Sequence, residues 1–152
     1  MKKVTPFFWF AGRVDEAAKF YVSVIKNSKI LSDDDDAGER LYSSVRVSLD
    51  GQELTLFHGG PHYELSPAVS LFVQCETQAE VDELWEKLSE GGEKSRCGWL
   101  VDKFGLSWQI IPDALMEMLG DPDETKSDRV QEAMMGMSKI DIAALQRAYD
   151  GA

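Results

Sequence analysis

The side chains able to do chemistry are few, and their spacing argues against most uses. Two histidines, His58 and His62, stand at i and i+4, which on a helix would place both on one face and suit a divalent metal. The intervening Gly59-Gly60-Pro61 forbids a helix, so the segment reads as a polar loop, with metal binding as the alternative. These are also the groups whose unperturbed titration lies near neutrality, and no Ser-His-Asp arrangement that spacing supports accompanies them. Cys75 and Cys97 would be nucleophiles if a neighbouring cation lowered the thiol pKa. Cys75 falls on the core side of an apolar strand. Cys97 follows Arg96, which could activate it, but packing is again the simpler role. The run Asp33-Asp34-Asp35-Asp36 reads as a solvated loop, because calcium sites space their carboxylates around the ion whereas adjacent aspartates repel.

Composition bounds what such residues could serve. A chain of 152 residues, 43% hydrophobic and 28% charged, is of a size for one soluble globular domain with a substantial core. A net charge of −11 argues against nucleic acid as a partner, since phosphate binding needs clustered Lys and Arg. It also disfavours an anionic membrane surface, and no apolar run approaches the roughly 20 residues of a transmembrane helix. The start, MKKVTPFFWF, has lysines before an apolar stretch, but that stretch is short and aromatic and no small-residue cleavage site follows it, so it is not read as a signal peptide. The two cysteines are then expected to be reduced thiols in the cytoplasm.

The elements that must position these residues follow from periodicity. Val4 to Phe10 reads as a strand, and Val14, Ala17, Ala18, Tyr21, Val24 and Ile25 give a helix one apolar face. After a short strand at Lys29 to Ser32, Leu41, Ser43, Val45, Val47 and Leu49 alternate. Asp50-Gly51 then turns the chain back through Glu53 to Phe57. The pattern restarts with a strand from Ala68 to Cys75. A Thr77-x-x-Glu80 capping box opens a helix with Val81, Leu84, Trp85 and Leu88 on one face, and Gly91-Gly92 stops it. The last strands close on Cys97 to Pro112, CGWLVDKFGLSWQIIP. There Gly105 supplies a tight turn, and Leu106, Trp108 and Ile110 oppose Ser107, Gln109 and Ile111. Strand-helix-strand-strand-strand thus occurs twice, at an offset of roughly 64 residues, with Ala17, Tyr21 and Val24 matching Val81, Trp85 and Leu88. The remainder, 113–152, is expected to form amphipathic, Met-rich helices packed on the domain or on a dimer partner, with a mobile lid as the alternative.

Two βαβββ units, about 1–60 and 66–112, together with FFWFAGRVDEAAKFYVSVIKNSKI and CGWLVDKFGLSWQII, resemble the vicinal oxygen chelate superfamily of glyoxalase I, bleomycin-resistance proteins and extradiol dioxygenases. The chain is more similar still to the PhnB-like branch, labelled a 3-demethylubiquinone-9 3-methyltransferase domain. That likeness rests on Pro6 to Phe10, Glu16-Ala17, Phe20-Tyr21, Asn27 to Ile30, Gly59 to His62, Cys75-Glu76-Thr77, Gly91-Gly92 through Pro112, and the ending KIDIAALQRAYDG. The resemblance implies an α+β fold in which paired units form curved mixed sheets around a cavity, with a helical C-terminal extension of the same domain and a homodimer as partner arrangement.

It also locates the positions at which metal-dependent members hold an ion. These fall near Thr5, Thr55 and Ser70, and on Gln109. Of these only Gln109 is a plausible ligand, so the resemblance implies no tightly bound metal and no cofactor. The methyltransferase label lacks a glycine-rich strand-to-helix turn. Alternation in the implied fold turns Phe7, Trp9, Thr55, Phe57, Ser70, Phe72, Gln74 and Gln109 toward the cavity, with Ser107 beside them and Trp99 as a wall. Aromatic rings with a few hydroxyls and amides make a small-molecule site. The expected function is small-molecule binding of the glyoxalase/bleomycin-resistance type. The alternative is a metal-assisted lyase, isomerase or dioxygenase recruiting His58 or His62, and a third reading is an interaction module acting through the acidic surface and helical tail.

Overall fold

The computed structural model describes residues 2–33 and 42–152 as two compact units, 1–66 and 67–152. The first unit runs β1 (Phe7–Phe10), α1 (Val14–Val24), β2 (Lys29–Asp33), β3 (Ser43–Leu49) and β4 (Gln52–His58). The second repeats that order as β5 (Ser70–Cys75), α2 (Gln78–Ser89), β6 (Glu93–Lys94), β7 (Trp99–Val101) and β8 (Ser107–Pro112), and then adds α3 (Asp113–Leu119), α4 (Glu124–Met135) and α5 (Ile142–Asp150). Each unit carries a four-stranded mixed sheet, ordered β1-β4-β3-β2 in one and β5-β8-β7-β6 in the other. In both, the first and last strands pair in parallel, β1 with β4 and β5 with β8. The α+β architecture of repeated βαβββ units with helices after them is as expected.

Each sheet buries one face under its own helix. Val14, Ala17, Ala18 and Tyr21 of α1 are fully buried, as are Phe10, Val45, Val47, Leu54 and Leu56 on the strands they cover. In the second unit Val81, Trp85 and Leu88 of α2 cover Cys75, Leu100, Trp108 and Ile110. Turn chemistry fixes the register. Asp50 and Gly51 take φ of 47° and 85°, the primed-turn geometry that joins Leu49 to Gln52 with matching strand twist. At α2 the Thr77 hydroxyl accepts from Glu80 N at 3.2 Å. The Glu80 carboxylate reaches back to Glu76 N at 2.9 Å, one residue beyond the usual partner.

The second hairpin is locked by a buried carboxylate. Asp102, 2% exposed, accepts from Phe104 N at 2.8 Å and Leu106 N at 3.0 Å through Oδ1. Its Oδ2 accepts from Trp108 Nε1 at 2.8 Å. One side chain therefore satisfies the donors of the turn and of the largest core residue on β8.

The helical tail packs on the second unit, around Ile111, Leu115, Val130, Ile140 and Leu145, with Met118, Met134, Met137 and Tyr149 at the margin. The Gln78 side chain ties it to α2, donating to Ile140 O at 3.0 Å and accepting from Ile142 N at 2.8 Å. Backbone bonds from Cys97 N to Met137 O and from Gly98 N to Ser138 O, at 2.9 and 2.8 Å, tie it to the strand segment as well.

Several boundaries move inward for physical reasons. β1 starts at Phe7 rather than Val4 because Pro6 has no N–H, although its carbonyl still accepts from Thr55 N at 3.0 Å. β5 starts at Ser70 rather than Ala68. α5 starts after Asp141, whose carboxylate caps Ala144 N at 3.2 Å, leaving Ile140 free to enter the core. Asp33 ends β2; Asp34 to Asp36 and Leu41 lie outside the described residues. Among the described residues no helix is long and apolar enough to cross a membrane.

Candidate functional site

The face of each sheet turned away from its helix carries the residues of interest. In the first unit Phe7 stands beside Thr55 and Trp9 beside Phe57. All four alternate with the buried Phe8, Phe10, Leu54 and Leu56, so they share the face opposite α1. From β3, Ser44, Arg46 and Ser48 stand opposite Phe57, Thr55 and Glu53 and join that face. The rings form a connected cluster. Phe57 lies 5.2 Å from Phe7 and 5.1 Å from Trp9 between centroids, and Tyr42 stacks on it at 6.2 Å. Tyr63 meets Trp9 edge-on at 4.9 Å.

Two features hold Trp9 in place. Its indole Nε1 donates to Gly60 O at 2.8 Å, which uses its one polar atom and leaves the ring face to be presented. Gly59 lies directly beneath, where an added Cβ would come within 2.3 Å of Trp9 Cε2 and 2.7 Å of Phe57 Cε1. The glycine is therefore a steric condition for the cluster. Near the other end of β4, Glu53 holds a buried carboxylate oxygen, Oε2, that has no hydrogen-bond partner among the described residues. Phe7, which meets Phe57, and Tyr63, which meets Trp9, are 59% and 66% exposed.

In the second unit Ser70 pairs with Ser107, Phe72 with Gln109, and Gln74 with Ile111. Trp99 flanks Gln109 from β7. The Gln109 amide donates to Ser70 Oγ at 2.9 Å. Ser107 is 1% exposed, and its Oγ is buried with no partner among the described residues. The tail closes this face at one end, because Ile111 belongs to the core formed by the last helices. Each expected cavity residue thus lies on the helix-free face of its own sheet, with Phe7, Trp9, Thr55 and Phe57 together in one unit and Ser70, Phe72, Gln74, Trp99 and Gln109 together in the other.

The positions related to metal binding carry a different chemistry. Thr5 precedes β1, and Ser70 and Gln109 are hydrogen-bonded to each other. Hydroxyls of Thr and Ser with one primary amide are a poor donor set for Zn, Ni or Fe(II). Among the described residues no group of three or more His, Cys, Asp or Glu is placed to hold a metal ion. His58 pairs with Phe10 and Ser43 at the end of β4, on the helix side with Leu54 and Leu56, and its Nδ1 is buried without a partner among the described residues. His62 is exposed in the following loop.

Neither cysteine is disulfide-bonded. Burial, reinforced by the nearby Glu80 and Asp113 carboxylates, pushes the Cys75 thiol up to about 12, so it is inert as a nucleophile at neutral pH. Cys97 is half-buried, with Sγ 3.6 Å from Met134 O. The sequence reasoning passed over Glu53 and Arg46. The signal was available: Glu53-Leu54-Thr55-Leu56-Phe57 puts Glu53 on the face of Thr55, and Arg46, between Val45 and Val47, falls by the alternation of β3 on that same face.

The family model for 3-demethylubiquinone-9 3-methyltransferase matches residues 2–111. No curated protein matches the chain. Among solved structures, the PhnB protein from Bacillus cereus is 33% identical, with a TM-score of 0.63, over 73% of this chain and 99% of that one. The fosfomycin resistance protein FosX from Mesorhizobium loti has a TM-score of 0.56 at 15% identity, over 80% of this chain and 100% of that one. A point mutant of FosX from Listeria monocytogenes, solved with Mn(II) and 1S,2S-dihydroxypropylphosphonic acid, reaches 0.51 at 15%, over 71% of this chain and 90% of that one. At such identities the FosX likeness is one of fold. The match along most of the chain and the Bacillus cereus likeness agree with the repeated βαβββ sheets: the chain belongs to the PhnB-like 3-demethylubiquinone-9 3-methyltransferase family of the vicinal oxygen chelate superfamily.

Proposed function

We propose that this protein binds a small, partly aromatic organic molecule on the helix-free faces of its sheets, without a tightly held metal or other cofactor. The observation that carries this reading is the ring cluster of the exposed Phe7 and Tyr63 with the half-buried Trp9 and Phe57, built over a glycine that admits nothing larger. Large rings left open to solvent on a sheet face are the make-up of a ligand surface. The second unit supports it with neutral groups, Ser70, Ser107 and Gln109, that suit hydrogen bonding to an uncharged part of a ligand. Sequestration of the bleomycin-resistance type needs only such a surface, and among the described residues no pair of groups matched for general acid-base work lies on it. For methyl transfer, Gly59 and Gly60 follow β4 and lead toward β5 rather than into a helix, which argues against a methyl-donor site of the Rossmann type. We further assign the protein to the cytoplasm, where its unpaired thiols stay reduced, and to a homodimer.

The rival is a metal-assisted enzyme, favoured by the Mn(II) complex of the FosX mutant. Elemental analysis separates the two, on untagged protein incubated with Zn, Ni, Mn and Fe(II) and then desalted. The expected result is no stoichiometric metal, together with stabilisation by flat organic compounds in a thermal-shift screen. About one retained metal per chain, lost in Gln109→Ala, would overturn the reading. So would a screen in which no compound stabilises the protein.

A further inference from the structure

The face of the first sheet has two chemically distinct ends. At one end Trp9, Phe57 and Tyr63 present ring faces, with Phe7 in contact through Phe57. The indole N–H of Trp9 is already committed to Gly60 O, so what Trp9 offers a ligand is its electron-rich face rather than a donor. Two residues before Thr55 along β4, on the same face, Glu53 keeps a buried carboxylate oxygen with nothing to accept from among the described residues. A buried acceptor without a donor is costly. Placed on the strand that also carries the open aromatic surface, it describes a binding partner that brings the donor with it.

Electron-rich ring faces attract cations, and a carboxylate oxygen in poor contact with water attracts a charged N–H most strongly. Thr55 lies between the two ends and adds a neutral hydroxyl. Resting on the small-molecule reading above, we propose that the ligand of this face is an organic cation: an aromatic ring that stacks on the exposed Phe7, joined by a short link to an ammonium group that donates to Glu53. The linkage is short because Phe7 stands beside Thr55, a single step of roughly 7 Å along β4 from Glu53. Arg46, opposite Thr55, would instead favour an anionic group, and the competing charge is what the experiment must resolve.

Three probes share one ring and differ in the head group: tryptamine, indole-3-ethanol and indole-3-acetate, titrated calorimetrically at pH 7 and low salt. Tryptamine is expected to bind about tenfold or more tighter than indole-3-ethanol, as a charge-assisted hydrogen bond supplies, and indole-3-acetate weakest. Glu53→Gln keeps the shape and removes the charge. It is expected to bring tryptamine down to the level of indole-3-ethanol while leaving the latter unchanged, whereas Phe7→Leu weakens all three together. The wild-type series decides the matter even where a variant fails to fold. Equal affinity for all three overturns the inference but leaves the small-molecule reading standing. Preference for indole-3-acetate overturns it and assigns the head-group site to Arg46. No binding by any of the three also overturns it, and the broader thermal-shift screen then separately decides the small-molecule reading.

Discussion

Replacing Asp102 is the sharpest test of how the site-bearing hairpin is held. Its carboxylate accepts from Leu106 N and Trp108 Nε1, both buried bonds, and from Phe104 N at the partly exposed turn. Asp102→Ala leaves those donors without an acceptor in a position where water does not reach, since Asp102 is 2% exposed and Trp108 1%. Each orphaned buried donor costs roughly 1–3 kcal/mol, so the two buried ones give about 2–6 kcal/mol and a central expectation near 4. Asp102→Asn is milder. One oxygen still serves the backbone donors, but the amide NH2 faces the indole N–H, and the loss is about 1–3 kcal/mol. Trp108→Phe removes the opposing donor, so the double variant Asp102→Asn/Trp108→Phe should be more stable than the sum of the singles predicts by about 1 kcal/mol or more. Urea unfolding followed by far-UV circular dichroism measures these differences, with the slope unchanged if the native state stays compact. A loss under about 1 kcal/mol for Asp102→Ala, or an additive cycle, would refute the claim that this carboxylate organises the hairpin.

Two further outcomes follow from single side chains. Gly59→Ala should cost about 1–3 kcal/mol of stability by overpacking and displace Trp9, because its Cβ would sit 2.3 Å from the indole; a changed tryptophan emission and weakened ligand binding check it, and unaltered binding would show that the ring cluster is not the contact surface. Cys75 should resist thiol reagents until the protein unfolds, and should make the native state less stable in alkali. Its folded pKa of about 12 lies above the ordinary thiol value of 9.0, so between those values the unfolded chain has lost a proton that the folded chain keeps, and stability falls as pH rises through that window. In Cys75→Ala that part of the alkaline slope is expected to disappear, and its persistence would place the cause elsewhere.

Much of this was legible because the chain says the same thing twice. Periodicity alone placed α1 and α2, whose buried faces are the ones read from Val14, Ala17, Tyr21 and from Val81, Trp85, Leu88. Asp50-Gly51 and Gly105 located the hairpins, since their positive φ values demand such residues. Once the pleat is set, alternation sends Phe7, Trp9, Thr55 and Phe57 to one face without further information. What alternation could not supply is partnership. That Gln109 is spoken for by Ser70, and that Glu53 Oε2 is spoken for by none of the described residues, depends on side-chain directions across strands far apart in sequence. The three donors to Asp102 were hidden for a related reason: a turn aspartate reads as a solvent-facing residue until the indole beneath it is known.

The two halves also differ where their common plan says they should match. Phe10 beside His58 ends one parallel pair, and Cys75 beside Pro112 ends the other. By that register Phe57 and Ile111 are equivalent, as are Trp9 and Gln74, and Phe7 and Phe72. In the second half the chain covers its own position: Ile111 is 4% exposed, sealed by Leu115, Val130, Ile140 and Leu145 of the tail. Gly98, where a Cβ would approach Ile111 Cδ1 to 2.8 Å, is shaped to the same contact. In the first half the equivalent residue is an aromatic ring among other rings, with Phe7 still 59% exposed. A duplicated plan that needs three helices to seal one copy of a position, and supplies rings rather than a seal at the other, has divided its labour. The second half gives the Ile111 end of its face to packing, while Phe72, the counterpart of Phe7, stays 46% exposed beside the hydrogen-bonded Gln109 and Ser70. The first leaves Phe7 and Tyr63 of its ring cluster open to solvent among the described residues.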